Sequence, residues 1–403
     1  MKIILLFIKF VILLTFFSNS YAGSIFSLTM TIGSSTITRG YGKAEEVIDA
    51  IKLSKIQTLF PSYAGTELVT MNLDFRGLPV TLSYAASSNS LVFSIPSISV
   101  SKTFVGSDRD DANSQFKKWL KSDGGSALNQ MMAKLAEVSS SDPIAGNPAS
   151  MMSQMVANDF GRSFNTPSPP ATKGGDTNNQ FGIGMKASRF TSNGQETKSF
   201  TAPIGYTWKF DFDPRHQISL SLPISYVQVE ESKSYNLSLG LGYQFPVAEH
   251  WLITPSIGYG IVGSIDLGSV GQVVSTSVSS SYHWDLRNSQ SIGLCNMIGH
   301  YQTLKFSYGG ITVDPGLSNQ VFRNGVLYTI PNRIFGWDAS TELFVLDTRF
   351  VGSKLYMNSY QELGFSEGSN KSVVSLAKYI RIGASYLHSS KAKGFTLNFG
   401  YSF

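Results

Sequence analysis

From Gln180 to Phe403 the chain alternates between large apolar and small polar side chains, and so long a two-residue period admits few folds. Phe200–Phe212 sets Phe200, Ala202, Ile204, Tyr206, Trp208, Phe210 and Phe212 against Thr201, Pro203, Gly205, Thr207, Lys209 and Asp211. Tyr235–Phe245 repeats the pattern with Leu237, Leu239 and Leu241 opposite Ser238, Gly240 and Gly242. Similar runs occupy Ile218–Gln228, Trp251–Ile261, Val274–Trp284, Ile292–His300, Leu343–Arg349, Ile380–His388 and Phe395–Phe403. A strand sends successive side chains to opposite faces. Alternation over about ten residues matches a tilted membrane strand.

A soluble β-sandwich also alternates, so the faces must decide. The polar face is mostly Gly, Ser, Thr and Asn, which suits a lumen better than a dry core, and the outward faces are strongly apolar. Charged residues are 15% of the chain, against about 25% in soluble domains. A closed barrel leaves no unpaired edge, as a bilayer requires. Aromatics at run ends (Phe200, Phe212, Tyr235, Phe245, Trp251, Trp284) stand where interfacial girdles form. The expected fold is a membrane β-barrel of about 12 antiparallel strands preceded by a small α+β N-terminal domain. Roughly 18–20 residues per strand and turn gives eleven to twelve strands, and parity favours twelve. The last is sought in Leu304–Asn332, where Asn324-Gly325 signals a turn. Val262–Gln272 and Leu304–Asn332 are the candidate outer loops.

The preceding residues divide naturally. Met1–Ala22 (1–22) reads as a signal peptide cleaved between Ala22 and Gly23: Lys2 leads an apolar stretch, and Ser20-Tyr21-Ala22 puts small residues at −3 and −1. Its uninterrupted core after Lys9, Phe10–Phe17, is far short of the roughly 20 residues of a spanning helix. Residues 23–165 mix both periods and form the N-terminal domain, a plug or a passenger. Strands are expected at Ser24–Thr38, Glu67–Phe75, Leu78–Ala85 and Leu91–Val100. Helices are expected at Lys43–Leu53, Arg109–Lys121, Leu128–Val138 and Pro148–Phe160. The last carries Met151, Met152 and Met155 and is read as packing either on its own domain or inside the barrel. Residues 166–179 are a Pro/Gly linker, and 180–403 the transmembrane barrel.

Gly394–Phe403 (GFTLNFGYSF) resembles the last strand of Gram-negative outer-membrane proteins, where alternating apolar residues ending in an aromatic are read by the barrel-assembly machinery. Phe399, Tyr401 and Phe403 occupy the matching positions. With the strand number and a helix ahead of the barrel, the chain resembles a solitary autotransporter-type outer-membrane barrel with a short N-terminal domain. Two departures stand out: no β-helical passenger precedes the barrel, and a Pro/Gly linker follows the helix that would thread the pore. The segment Asp142–Phe160 looks like a family signature whose mechanism the sequence does not give. The resemblance implies an outer-membrane location in a Gram-negative bacterium. It also implies lipid, lipopolysaccharide, the assembly machinery and periplasmic chaperones as partners, and no enzymatic role.

Each catalytic residue type points the same way. His388-Ser389-Ser390 is the one lead toward a lipid hydrolase, and no acidic residue follows Glu367 to orient the His. His300, read as facing the lumen, stands alone near Cys295, too few ligands for a metal. Asp211/Asp213 and Glu230/Glu231 read as turn acids, and Gly240-x-Gly242 and Gly258-x-Gly260 as the small-residue face of strands. Asp108–Asp111 lacks the Gly and Glu of a calcium loop. No catalytic residue, metal or cofactor is expected, and a net charge of +5 spread along the chain gives no reason to expect nucleic acid. The alternatives to a translocator barrel are a small porin gated by the N-terminal region and a barrel lipid hydrolase.

Overall fold

A computed structural model describes residues 24–121, 124–164, 179–308, 311–334, 336–369 and 379–402. The signal-peptide reading with its Ala22–Gly23 cleavage point, nearly all of the Pro/Gly linker, and Phe403 lie outside the described residues.

The N-terminal part is a six-stranded antiparallel sheet with helices on one face. Its strands are β1 (Phe26–Ile32), β2 (Ser35–Tyr41), β3 (Val69–Phe75), β4 (Leu78–Tyr84), β5 (Ser90–Ile95) and β6 (Val100–Val105), in the order β2-β1-β3-β4-β5-β6. The helices are α1 (Ala44–Ala50), α2 (Leu53–Leu59), α3 (Arg109–Lys121) and α4 (Gly125–Val138). Alternation buries Leu28, Met71, Leu73, Val80, Leu82 and Phe93 on one face, as an antiparallel sheet with one wet side requires. Phe116 and Trp119 of α3 close over Phe93 and Phe104 at ring separations of 5.1–5.6 Å. Two expected strands break. Ser24–Thr38 is a hairpin, because Gly33 adopts φ +57 and turns the chain. Leu91–Val100 is cut by a 3-10 turn at Pro96–Ile98 and by Ser99 at φ 55, which releases β6 as a further strand.

The remainder is a closed barrel of twelve strands. They are β7 (Gln180–Ser192), β8 (Gln195–Phe210), β9 (Asp213–Val229), β10 (Ser232–Ala248), β11 (Trp251–Ser264), β12 (Ser269–Asp285) and β13 (Ser291–Leu304). After a small hairpin, β14 (Phe306–Tyr308) and β15 (Ile311–Val313), come β16 (Ser318–Ile334), β17 (Trp337–Gly352), β18 (Ser359–Ser369), β19 (Tyr379–His388) and β20 (Ala392–Ser402). Neighbours pair antiparallel, and β20 closes on β7 through Phe399↔Met185 and Leu397↔Ala187. Along β10, Tyr235, Leu237, Leu239 and Leu241 face outward and exposed, while Ser234, Asn236 and Ser238 are buried inside.

Aromatic rings gather at two heights on the outer wall. One belt holds Trp208 on Tyr206, Phe210 near Tyr243, and Trp284 on Tyr282. The other pairs Tyr226 with Tyr235 and Tyr386 with Phe395. Between Tyr235 and Tyr243 lie eight steps of strand, roughly 20–25 Å of barrel height at the usual rise and tilt. That is the thickness of an apolar band.

Both expected long loops shrink. Ile261 pairs with Gln272 and Val262 with Gly271, which leaves a four-residue turn, 265–268. Asn324-Gly325 is mid-strand in β16, paired with Asn296 and Cys295, and the real connection is 305–317. Three strands escaped the alternation test: β16, read as holding a turn, β7, which turns Arg189 outward and Phe190 inward, and β18, which offers only Leu363 and Phe365 to the outside.

The N-terminal sheet sits on the rim that carries the β7–β8 turn, opposite the rim where β7 begins and β20 ends. Ala44 N–H bonds the Asp266 carbonyl at 2.8 Å, Ser232 Oγ bonds Gly42 O at 2.5 Å, and Tyr356 N–H bonds Ala136 O at 2.7 Å. Behind this joint lies a buried ion pair, Arg76 Nη2 to Asp142 Oδ2 at 3.2 Å. Burial pushes the Asp142 carboxyl up and the Arg76 guanidinium down from their ordinary values, each opposed by the other's charge. Arg76→Ala would strand that carboxyl and is expected to destabilise the N-terminal domain by about 3–5 kcal/mol. The readout is the urea midpoint of Trp119 fluorescence in a chain whose four barrel tryptophans are Phe.

Candidate functional site: the helix inside the barrel

The segment after α4 turns back into the barrel. Residues 139–149 form a compact loop, buried almost throughout, whose polar side chains bond their own backbone. Asp142 Oδ1 accepts the N–H groups of Ile144 (2.9 Å) and Ala145 (3.1 Å), and Asn147 Nδ2 bonds the Asp142 carbonyl at 2.5 Å. This folding aims the Pro143 and Ile144 carbonyls at the first free N–H groups of the next helix, Met151 (2.9 Å) and Met152 (3.0 Å). That helix is α5 (Met151–Phe164). The signature Asp142–Phe160 therefore builds a capped helix start at the barrel mouth.

Helix α5 lies in the lumen against β9–β13 and β16, which decides the choice left open for the Met-rich face. It fits because the wall beneath it is glycine and serine. A Cβ on Gly260 would come within 2.6 Å of Met151 Sδ, and one on Gly240 within 1.6 Å of Arg162 Nη2. On Gly325 it would meet Phe160 and Phe164 at 2.9 Å each. The small-residue face expected at Gly240-x-Gly242 and Gly258-x-Gly260 is thus the bed of the helix.

Polar side chains fix the helix at one height. Asp159 Oδ2 accepts Tyr301 OH at 2.7 Å and Ser275 Oγ at 2.9 Å, while its Oδ1 takes Arg162 Nη1 at 2.5 Å. Arg162 Nη2 continues to Ser221 Oγ at 2.8 Å. One turn nearer the mouth, Gln154 Oε1 accepts Ser225 Oγ at 2.7 Å. Asp159 is 2% exposed, so its charge is balanced within this cluster.

Past the glycine bed, from β16 round to β19, the wall is charged. Arg323 reaches Thr348 Oγ1 (2.6 Å) and Glu362 Oε1 (3.2 Å), with its guanidinium 5.2 Å from the Phe160 ring centre. Arg381 bonds Glu342 at 3.1 Å and Ser340 Oγ at 2.6 Å. Inward positions were expected to be mostly Gly, Ser, Thr and Asn; that holds for the wall under α5 and fails here. Parity in the runs Leu343–Arg349 and Ile380–His388 puts Glu342 and Arg381 on the inner face, where an ionisable group at membrane depth signals function, whereas Arg323 and Glu362 lie in strands that alternation did not pick out. Asp159 and Arg162 carried no such signal, because helical period alone does not say what a helix enters.

The other candidates disperse. His388 is exposed on the outer face, stacked near Tyr386, while Ser389 Oγ closes the β19–β20 turn by accepting the Lys391 and Ala392 N–H groups. His300 does not face the lumen: β13 turns it outward with Ile298, and Cys295 is the inward residue. Asp213 is bound by Arg215 at 2.6 Å, and Glu230 Oε1 accepts Glu196 N–H at 2.6 Å. Among the described residues, no group of three His, Cys, Asp or Glu could hold a metal ion. Tyr401 pairs with Ile380 and Ile183 through its backbone, and Phe399 lies on the outer face of β20.

No protein-family profile matches the sequence, and no curated protein matches it either. Solved barrels do. The translocator domain of the autotransporter NalP from Neisseria meningitidis is similar at a TM-score of 0.48 and 10% identity, covering 62% of this chain and 95% of that one. The β-domain of the Bordetella autotransporter BrkA follows at 0.46 and 11%, covering 57% and 99%. The KdgM porin is similar at 0.34 and 8%, covering 55% and 99%. Both translocator domains and a porin are among these similar barrels, each at 8–11% identity.

Two substitutions test the seat of the helix. Asp159→Ala leaves Arg162 buried without its carboxylate, a loss of about 3–5 kcal/mol. Hydrogen exchange of amides 151–164 is expected to accelerate by roughly 10²–10³ if 3–4 kcal/mol of that is local. Gly260→Leu is expected to speed exchange in the same segment by overpacking against Met151, while the barrel strands keep their protection.

Proposed function

We propose that the chain is an outer-membrane barrel of autotransporter type, without enzymatic activity, whose N-terminal domain is a short passenger held at the cell surface by α5. One observation carries this: the chain is at one rim at Asp142, inside the lumen from Met151 to Phe164, and at the other rim at Asn179, where Asn179 Oδ1 accepts Lys209 N–H. The even strand number puts both ends of the barrel at that second rim, the periplasmic one in barrels of this kind. Its connections 211–212, 249–250 and 286–290 are short and 370–378 spans nine residues, whereas the longest connection of the barrel, 305–317, is on the rim bearing the N-terminal domain. Export would begin with cleavage after Ala22, and Phe399, Tyr401 and Phe403 would present the assembly signal.

The charged wall supports a second reading, a solute channel that α5 keeps narrow, because the paired Arg and Glu side chains of β16–β19 suit a polar permeant. Two experiments separate them. An epitope near Gly65 should be cleaved by protease on intact cells while a periplasmic marker survives; protection until the outer membrane is permeabilised would place the domain inside and sink the passenger reading. In planar bilayers the whole chain should conduct poorly, and deletion of 151–164 should open it. Large, steady conductance by the whole chain would favour the channel.

A further inference from the structure

The N-terminal domain has a hollow core. Between its sheet and its helices lies a cavity of about 830 Å³, walled by Leu73, Val80 and Phe93 on one side and Val47, Phe116 and Met131 on the other. Protein interiors are close-packed, with few voids larger than a water molecule. A space this size falls in the range of ligand sites, about 300–1,000 Å³. The walls are almost wholly apolar and converge no donors or acceptors, so a sugar, nucleotide or peptide would enter with its polar groups unpaired. A hydrocarbon chain would not.

The position of the mouth says where such a chain comes from. The cavity opens at the barrel rim, between Lys233 and Tyr235 of β10 and the turn 265–268. Tyr235 belongs to the outer aromatic belt and is 62% exposed, and Ile265 beside it is 89% exposed. Aromatic belts sit at the headgroup level of a bilayer, so an acyl chain could pass from the leaflet into the cavity with little exposure to water. Lys233 lines the opening, and Lys43 reaches Asp266 there at 3.7 Å with half of its side chain exposed. Two ammonium groups against the one carboxylate of Asp266 leave a positive balance at the mouth that suits an anionic head.

We propose that the N-terminal domain binds the long acyl chain of an anionic amphiphile, hydrocarbon inward and head at Lys43 and Lys233. This goes beyond the translocator reading and holds on either side of the membrane. The whole chain, in lipid nanodiscs, is irradiated with diazirine-bearing palmitate or, separately, a phosphatidylglycerol carrying the same diazirine chain, and the labelled peptides are mapped. Label at Val47–Ile51 and Leu128–Met132, competed by unlabelled palmitate or phosphatidylglycerol, is expected. Label from palmitate alone means a free fatty acid; label from the phospholipid means a chain drawn from the bilayer. Leu128→Trp, which fills the cavity, should cut this label at least ten-fold while label on the outer barrel strands and the heat-modifiable gel shift of the barrel persist. Lys233→Glu, at the exposed mouth, should weaken competition by the anionic amphiphile without disturbing the core. Label confined to the outer strands, or cavity label indifferent to competitor and to both variants, overturns the proposal.

Discussion

Backbone groups inside hydrocarbon have no water to bond, and that one constraint organises the whole second half of the chain. The pairing of β20 with β7 satisfies it by leaving no strand edge. Once the ring is closed, each strand has an outer face that must be apolar and an inner face that need not be. The dyad pattern of β10 and β11 is the direct imprint of that division. The aromatic belts mark where the hydrocarbon ends, and the even strand number lets every neighbour pair antiparallel with both ends of the ring at one rim.

The inner face then answers a second demand, that of receiving a helix. An α-helix with side chains is about 10–12 Å across, and the wall under α5 yields to it by having no side chains at Gly240, Gly258, Gly260 and Gly325. Glycine weakens strands, so these positions give up barrel stability to make room. From β16 round to β19 the wall instead holds paired charges, Arg323 with Glu362 and Arg381 with Glu342. The lumen is therefore two surfaces, one shaped by contact and one by charge. The cluster of Asp159, Arg162 and Tyr301, with Gln154 on Ser225, sets the depth of the helix.

Alternation made the barrel, its approximate strand number and the inner placement of the small residues legible from sequence, because a two-residue period is a local property. What stayed hidden depended on contacts distant in sequence. Asn324-Gly325 has the chemistry of a hairpin turn, yet its glycine is there because Phe160 and Phe164 lie on it. The turn 265–268 was hidden in apparently irregular sequence, because strands that rise past the membrane band toward a docked domain lose their apolar outer face. Helix α5 was visible as a helix and invisible as a plug: Met151, Met155 and Phe160 would look the same against a sheet or a barrel wall. His300 shows chemistry misleading where parity does not: it shares an unbroken face with Ile292, Leu294 and Ile298, and its polarity alone suggested the lumen.

A closed ring with a chain passing through it is also a topological object. Among the described residues the lumen houses one helix, whereas the part beyond it is a six-stranded sheet with four helices, too wide to be drawn through once folded. Folding therefore has an enforced order. Either residues 24–138 cross while still unfolded, or the seam between β20 and β7 zips shut around a chain already laid inside. After that, separation would require breaking the seam, melting the sheet or cutting the chain. The bond between domain and barrel thus outlasts every hydrogen bond that positions it, held by connectivity as a bead is held on a knotted string.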